Sequence, residues 1–236
     1  MTQYYRIADL VVAIDSFGRI VEQAKPYLID DSDGIIPDIK IVSDYRSLKE
    51  KAPHLSDEDC EYLTTGGSFY RKLVKYGGMM LHSSAVIMDG RAYLFSAPCG
   101  TGKSTHTKLW QQVFGEDRVK MLNDDKPAIR LVDGQWYAYG TPWSGKYDIS
   151  TNTRVPLGGV CMLRRGEQNK IEPYGGPSAV KEILEQTARV NHPEYMMNML
   201  GLIDKLLEKV PVWRMECNME PEAAILSHKV MSEAQK

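Results

Sequence analysis

The sequence predicts an α/β protein with mixed sheets, a P-loop and flanking helices, behind a small N-terminal α+β part. Three observations favour this class. Short segments rich in Val and Ile recur between turns formed by Gly, Asp and Pro. Helical stretches alternate with these segments. A glycine-rich loop, residues 97–104, joins a predicted strand to a predicted helix.

The composition excludes several classes of protein. The chain has 236 residues, with 29 Lys and Arg against 31 Asp and Glu, so its formal charge of −2 lacks the basic excess of a nucleic-acid binder. No apolar run approaches the ~20 residues of a membrane span. The first residues do not resemble a secretory leader, and the four cysteines are widely spaced, as in a cytoplasmic protein with reduced thiols. We expect neither nucleic-acid nor membrane partners.

The length allows one large domain or two modest ones. We place a boundary between an N-terminal strand and helix region, residues 1–76, and a P-loop domain with C-terminal helices, residues 77–236. In the first region, residues 7–14 and 39–42 are predicted strands. Residues 56–76 are mostly helical, with Ser56 as the N-cap, and Gly66-Gly67 is a point where this helix could divide in two.

Further elements are predicted in the second region. The strands are residues 80–88, 91–96, 119–122, 128–132, 135–139, 160–163 and, at a sheet edge, 210–215. Asp89-Gly90 and Asp133-Gly134 are predicted hairpin turns. The helices are residues 104–114, a stretch over 177–209 that is broken near His192-Pro193, and residues 220–231 with Asn218 as the cap.

The loop is the most informative segment. It matches G-x-x-x-x-G-K-[ST], except that Ala97 replaces the first glycine. Its amides and the following helix N-terminus form an anion nest, Lys103 supplies an ammonium for the β- and γ-phosphates, and Ser104 offers a hydroxyl to Mg²⁺. The alternative is a chance turn between strand and helix. The predicted nucleotide-binding residues are Pro98, Cys99, Gly100, Thr101, Gly102, Lys103, Ser104 and Thr105.

Two adjacent carboxylates follow the next predicted strand. Asp124 and Asp125 could supply a general base and a metal ligand, since like charges that lie close together raise one pKa. We assign Asp124 as the base and Asp125 to the metal, although the pattern leaves their order open. The alternative is a solvated Asp-Asp turn.

Two other segments carry weaker signals. In residues 140–146, Lys146 could neutralise charge on a transferred phosphoryl group, and Trp143 could stack on a substrate or close the site. The alternative there is a surface turn with a half-buried Trp. Arg164-Arg165 could bind anions or could form a solvated basic turn. His106 is interpreted as structural.

Several of these residues together resemble a known superfamily. His82-Ser83-Ser84-Ala85, Asp89-Gly90, Leu94-Phe95 and the loop resemble the core of HPr kinase/phosphorylase and of ATP-dependent phosphoenolpyruvate carboxykinase. The resemblance covers roughly residues 77–160. It implies that His82 binds the metal or orients the acidic pair, that one Asp of the pair is the base, and that Arg154 contacts the triphosphate.

The chain departs from both families in places. It is far too short for a carboxykinase, and it has Thr105 where the HPr kinases have Glu. It is similar to HPr-kinase-like proteins found beside modified-peptide gene clusters, some of which phosphorylate a peptide serine. The resemblance thus implies a kinase that uses ATP and Mg²⁺ to phosphorylate a hydroxyl, with a serine of a protein or peptide as the expected acceptor and a small molecule as another.

In this scheme Lys146 or Arg154 stabilises the departing phosphoryl charge. Relatives of this class often assemble, so the resemblance also implies a homo-oligomer. Two alternatives stay open. One is a carboxykinase-like or phosphate- or pyrophosphate-using phosphotransferase, and the other is a non-catalytic ATP-binding regulatory protein.

Overall fold

A three-stranded sheet forms the N-terminal part of the computed structural model of this chain, which describes residues 2–188 and 192–234. Strands β1 (Thr2–Ile7) and β2 (Leu10–Asp15) are antiparallel, and β3 (Ile39–Val42) lies parallel to β2. The predicted strand over residues 7–14 corresponds to β2 but begins too early, because Ala8 and Asp9 form a tight turn at positive φ angles of 52° and 62°. The apolar run hides this turn, since Ala rarely adopts that conformation.

The helices of the described residues are α1 (Arg19–Gln23), α2 (Tyr45–Lys51), α3 (Asp57–Leu73), α4 (Lys103–Phe114), α5 (Gly176–Glu185), α6 (Pro193–Lys209) and α7 (Pro221–Glu233). The break before Pro193 is confirmed, and residues 189–191 of the predicted helical stretch lie outside the described residues. Asn218 is not the cap of the last helix, because Glu220 holds that position and donates its N–H to the Asn218 side chain at 3.1 Å. None of these helices has the length and apolarity that crossing a membrane requires.

Helix α3 is continuous through its two glycines. Ser56 caps it as predicted, accepting the Asp59 N–H at 3.0 Å. The helix does not divide at Gly66. The missing side chain at this position makes room for the buried indole of Trp143. A Cβ atom at Gly66 would lie 2.8 Å from Cδ1 of that ring. The glycine therefore allows close packing and does not mark a break.

The second sheet has nine strands. They are β4 (Gly78–Met80), β5 (Ser83–Met88), β6 (Arg91–Ser96), β7 (Lys120–Asn123), β8 (Ala128–Val132), β9 (Gln135–Tyr139), β10 (Arg154–Arg165), β11 (Lys170–Pro173) and β12 (Val212–Cys217). Their order is β4-β8-β9-β10-β6-β5-β7, and β12 pairs with both β10 and β11. Both Asp-Gly hairpin turns and the α/β class are confirmed.

Some strand predictions are corrected. The predicted strand over residues 80–88 is interrupted at residues 81–82, which separate β4 from β5. Strand β10 is much longer than the predicted residues 160–163, because its first residues pair with β9 and its later ones with β6 and β12. Strand β12 is not an edge strand, since β11 covers its second side. Strand β11 was not predicted from the sequence.

Consecutive side chains of the central strands point to opposite faces of the sheet and pack in two separate apolar layers. On β6, Leu94 packs in the cluster that includes α5 and α6, whereas Phe95 packs in the cluster that includes α4 and α7. Val160 and Cys161 of β10 divide in the same way. A third cluster contains Trp143 and joins the N-terminal sheet and α3 to residues of β8 and β9.

Strand directions bring several chain segments to one edge of the large sheet. Strands β6, β10 and β12 are parallel, so their carboxyl ends lie together. Strand β5 is antiparallel to β6 and therefore begins at that edge, and β7 is antiparallel to β5 and ends there. In open α/β sheets, ligands bind outside the carboxyl ends of the strands. This edge is where a functional site is expected.

The packing of Trp143 against Gly66 makes a stability prediction. Gly66→Ala places a methyl group against the indole, and such overpacking should lower the free energy of unfolding by about 1–3 kcal/mol. Gly201→Ala in α6 is the matched control, because a Cβ there meets no atom within 4 Å. The better helix propensity of Ala should raise the free energy of unfolding in that variant by about 0.5–1 kcal/mol. Urea denaturation followed by circular dichroism measures both; a stabilised Gly66→Ala variant would contradict the packing.

Candidate active site

A cavity of about 320 Å³ lies at this edge of the sheet. Its walls come from the residue before β5, the loop after β6, the first turn of α4 and the segment after β7. The lining residues are His82, Cys99, Gly100, Gly102, Lys103, Ser104, Thr105, Asp124 and Asp125. The structure thus brings most of the residues selected from the sequence to one place, while Pro98 and Thr101 line a neighbouring cavity.

The glycine-rich loop has the backbone that an anion nest requires. Gly100 and Gly102 have φ angles of 77° and 121°, a region that residues with a Cβ rarely adopt. Helix α4 begins at Lys103, and the N–H groups of its first turn have no acceptor inside the helix. These groups and the positive end of the helix favour an anion in the loop. Ala97 is fully buried in the cluster shared by α4 and α7, which accounts for an apolar residue at the first position of the motif.

Lys103 is mostly buried beside the two carboxylates. Its ammonium donates a hydrogen bond to the Ala97 carbonyl at 3.0 Å. Burial lowers the pKa of Lys103, and the charges of Cys99, Asp125 and Asp124 oppose this shift. An ammonium has three donors, so further hydrogen bonds to a ligand oxygen are open to it.

Asp124 is oriented by two hydroxyl groups. The Ser84 hydroxyl donates to Oδ1 of Asp124 at 2.6 Å, and the Ser84 and Thr107 hydroxyl oxygens are 2.7 Å apart. Strand β5 and helix α4 therefore both fix this carboxylate. Its Oδ2 has no hydrogen-bond partner in the described ranges, so this oxygen can accept a proton from a ligand. Ser84 was part of the segment that resembles the HPr kinases, but no role was assigned to it from the sequence.

Both oxygens of Asp125 are engaged by other side chains. Nε2 of His82 lies 3.2 Å from Oδ1, and the Lys126 ammonium pairs with Oδ2. Burial raises the pKa of Asp125, but the hydrogen bonds and charges of His82 and Lys126 outweigh it, so the pKa lies below the usual value of 3.8. Asp125 is therefore held ionised and is a weak base. Lys126 was not selected from the sequence.

His82 is held from its other side by Gln186. Nδ1 of His82 lies 3.3 Å from Oε1 of Gln186, and the His82 N–H donates to the Gln186 carbonyl at 2.8 Å. The end of α5 thus positions the imidazole that contacts Asp125. No local pattern marks Gln186, because this contact joins residues that are far apart in the sequence.

Asn123 organises the turn that carries the acidic pair. Its side-chain oxygen accepts the N–H groups of Asp125 at 3.0 Å and of Lys126 at 2.8 Å. Its amide donates to the Thr141 carbonyl at 3.0 Å. Asn123 is fully buried, so these bonds replace water. An Asn that precedes a turn is a known turn former, and this signal was available in the sequence.

Helix α3 supports the same turn from the N-terminal side. The Tyr70 hydroxyl donates to the carbonyl of Lys126 and lies 2.9 Å from the Thr141 hydroxyl. The Tyr62 hydroxyl accepts the Gly145 N–H at 2.9 Å. Burial raises the pKa of both phenols, which therefore stay neutral and act as hydrogen-bonding groups.

The two residues of the segment 140–146 that were predicted to act at the site lie outside the cavity. Lys146 is exposed, and its ammonium lies 5.9 Å from the centre of the Tyr147 ring. Trp143 is fully buried and stacks on Phe69 with ring centres 4.8 Å apart. The interpretation of Trp143 as a residue that stacks on a substrate is wrong, because its ring belongs to the apolar core.

Arg154 is also outside the cavity, and a different arginine lies at the loop. Arg154 begins β10, where it pairs with Asp9 at 2.7 Å. The loop follows Ser96, which pairs with Met162 of β10. At about 3.3 Å per residue, Met162 lies about 26 Å along the strand from Arg154. Arg165 ends the strand near the loop, where its guanidinium donates to the carbonyls of Gly100 and Thr101.

The oxygen atoms of the cavity suit a magnesium ion that is also bound by the phosphates of a substrate. The described residues contain no group of three or more His, Cys, Asp or Glu arranged to hold a metal. The cavity does offer the Ser104 hydroxyl and the carboxylates of Asp124 and Asp125. Mg²⁺ prefers such oxygen ligands and is usually held by one or two carboxylates together with phosphates and water.

Comparisons with known proteins place the chain in a family. The profile of the family described as SynChlorMet cassette protein ScmC matches residues 56–220. No curated protein matches the sequence. Among solved structures, the Hpr(Ser) kinase/phosphatase from Coxiella burnetii is similar with a TM-score of 0.38 and 12% identity, over 65% of this chain and 98% of that one.

The contacts of Asp125 make a pH prediction. Its folded-state pKa lies below 3.8, so its ionised form contributes stability that is present above that value and lost as the pH falls through the folded-state pKa. Near neutral pH, wild type should therefore be more stable to urea than Asp125→Asn. The difference in free energy of unfolding should shrink below about pH 4.

The fully exposed Asp117 supplies the control. The difference in free energy of unfolding between wild type and Asp117→Asn should stay nearly constant over the same pH range. A difference for Asp125→Asn that grows on acidification would contradict the described contacts with His82 and Lys126.

Proposed function

The chain belongs to the SynChlorMet cassette protein ScmC family, and we propose that it is a kinase that uses ATP and Mg²⁺ to phosphorylate a hydroxyl group. One observation carries this proposal. A glycine-rich loop that begins a helix, a buried lysine and a pair of carboxylates surround a single cavity. This combination suits phosphoryl transfer, because cations and amides bind the phosphates and a carboxylate can act as the base for the acceptor.

In this proposal the loop and the first turn of α4 bind the triphosphate. The amides of residues 100–105 and the ammonium of Lys103 bind the β- and γ-phosphates. Ser104 and Asp125 would hold Mg²⁺, which when bound neutralises charge on the phosphate oxygens. His82 is a positioning residue that orients Asp125. The low pKa of Asp125 suits a carboxylate that must stay ionised beside a cation.

Asp124 acts as the general base. Its Oδ2 takes the proton of the acceptor hydroxyl while the hydroxyl oxygen forms a bond to the γ-phosphorus. The bond between that phosphorus and the bridging oxygen of ADP breaks, and ADP leaves with the bond's electron pair. Lys103, together with Arg165 behind the loop, provides positive charge near the leaving ADP. A serine of a protein or peptide is the proposed acceptor.

The first test is ATP binding by Lys103→Ala. Loss of the ammonium should weaken the affinity for ATP with Mg²⁺ by about tenfold or more, because hydrogen bonds between charged groups are strong. Isothermal titration calorimetry measures this change. Lys108→Ala is the control, since Lys108 is exposed on the same helix and should leave the affinity unchanged. Equal heats for wild type and Lys103→Ala would remove the loop from the mechanism.

The second test is phosphoryl transfer by Asp124→Asn. Loss of the base should lower the rate by about 10²–10⁴-fold while ATP still binds. The measurement is transfer of ³²P from γ-labelled ATP into lysate fractions separated by mass. Asp117→Asn, which changes a distant exposed carboxylate, should transfer at the wild-type rate. A wild-type rate in Asp124→Asn would refute the base, and ATP binding without any transfer by wild type would favour a regulatory protein.

A further inference from the structure

A second and larger cavity adjoins the loop on the side of α5. Its volume is about 610 Å³, within the range of sites that bind small molecules. Pro98 and Thr101 form its border with the loop, and the end of β10, helix α5 and strand β12 form its other walls. Apart from the loop and Arg165, the lining of this cavity has no role in the phosphoryl transfer proposed above.

The cavity carries an excess of positive charge. Among the described residues, four cationic side chains line it, those of Arg164, Arg165, Lys181 and Arg214, against two carboxylates, those of Glu182 and Glu185. The chain as a whole has a formal charge of −2, so this local excess opposes the overall balance. A cavity with excess positive charge raises the local concentration of anionic ligands.

The ion pairs in the cavity leave part of this charge available. Glu182 is shared between Arg164 at 3.5 Å and Arg214 at 3.8 Å, so one carboxylate faces two guanidinium groups. Lys181 is exposed on α5 and has no ion pair within residues 2–188 and 192–234. In the part of the chain that the structure describes, the contacts of the Arg165 guanidinium are with neutral carbonyls of the loop. A ligand carboxylate could therefore pair with Lys181 without displacing an internal partner, and Arg164 and Arg214 keep excess positive charge because they share one carboxylate.

The cavity is connected to the acidic pair. Gln186 lines it and also holds His82, which contacts Asp125. A third cavity, of about 520 Å³, is lined by Leu109 of α4 and shares Gly100, Gly102 and Thr105 with the active-site cavity. Among the described residues its lining has one arginine, Arg165, and one carboxylate, Glu167, so the excess of positive charge favours the cavity beside α5 for an anionic acceptor.

We propose that the cavity beside α5 binds the acceptor, and that the acceptor is an acidic peptide segment whose hydroxyl reaches Asp124. This inference rests on the proposed kinase function and specifies the class of substrate. The carboxylates of the segment pair with Lys181, Arg164 and Arg214, and its serine or threonine lies at the border formed by Pro98 and Thr101.

Peptide binding to the full chain tests this inference without requiring turnover. The probes are two fluorescein-labelled peptides with one central serine, flanked in one by glutamates and in the other by glutamines. Fluorescence anisotropy should give the glutamate peptide at least about tenfold higher affinity, the change expected from one charge-assisted hydrogen bond. Equal affinities, or no binding of either peptide at millimolar concentration, would overturn the proposal.

Charge-reversal variants locate the binding. Lys181→Glu, an exposed substitution on α5, and Arg164→Glu should each weaken binding of the glutamate peptide by about tenfold or more. Arg46→Glu is the control, because it reverses an exposed charge on α2 and should leave the affinity unchanged. Equal losses in all three variants would show a non-specific charge effect and would also overturn the assignment.

L-malate, a small hydroxy acid, should not compete, and displacement of the peptide by malate would overturn the peptide assignment.

The kinase function is tested separately by ATP calorimetry on wild type. Charge-selective peptide binding without ATP binding would refute the kinase and leave the anionic-peptide site in place. ATP binding and transfer without selectivity for the acidic peptide would refute the acceptor site alone.

Discussion

The pairing of β6 with a parallel strand on one side and an antiparallel strand on the other decides where the chemical groups of this protein lie. Because β10 runs with β6 and β5 runs against it, the loop after β6, the start of β5 and the end of β10 share one edge of the sheet. Strand β7 then adds the acidic pair at the same edge. A single reversal of direction in this set would place His82 or Asp124 at the far side of the sheet.

Local signals predicted much of this arrangement. The Asp-Gly turns, the Ser56 cap and the loop with its strand and helix are determined by residues that are adjacent in the sequence, so they could be identified without the structure. The turn at Ala8 and Asp9 could not, because Ala rarely adopts positive φ and the apolar residues around it continue the pattern of a strand. The length of β10 also depends on three partner strands that no local pattern reveals.

The residues of the candidate site also divide into those with a local sequence signal and those whose place depends on long-range contacts. Residue type identified Lys103, Ser104 and the acidic pair, because their chemistry is tied to one short segment each. Arg154 and Arg165 could not be distinguished in this way, since the two begin and end one strand and only its register decides which is near the loop. The contacts of Asn123 and Gln186 are long-range, and their importance lies in the orientation they give to Asp125 and His82.

The contact between helix α3 and the acidic turn has a consequence for motion. Tyr70 and Tyr62 connect that helix to the carbonyl of Lys126 and to Gly145 through hydroxyl groups that burial keeps neutral. Any local opening that separates α3 from the large sheet also removes these bonds and loosens the backbone beneath the two aspartates. Order in the N-terminal region and order at the acidic turn are therefore thermodynamically linked, and a molecule that binds only the closed N-terminal region would also hold the distant carboxylates in place.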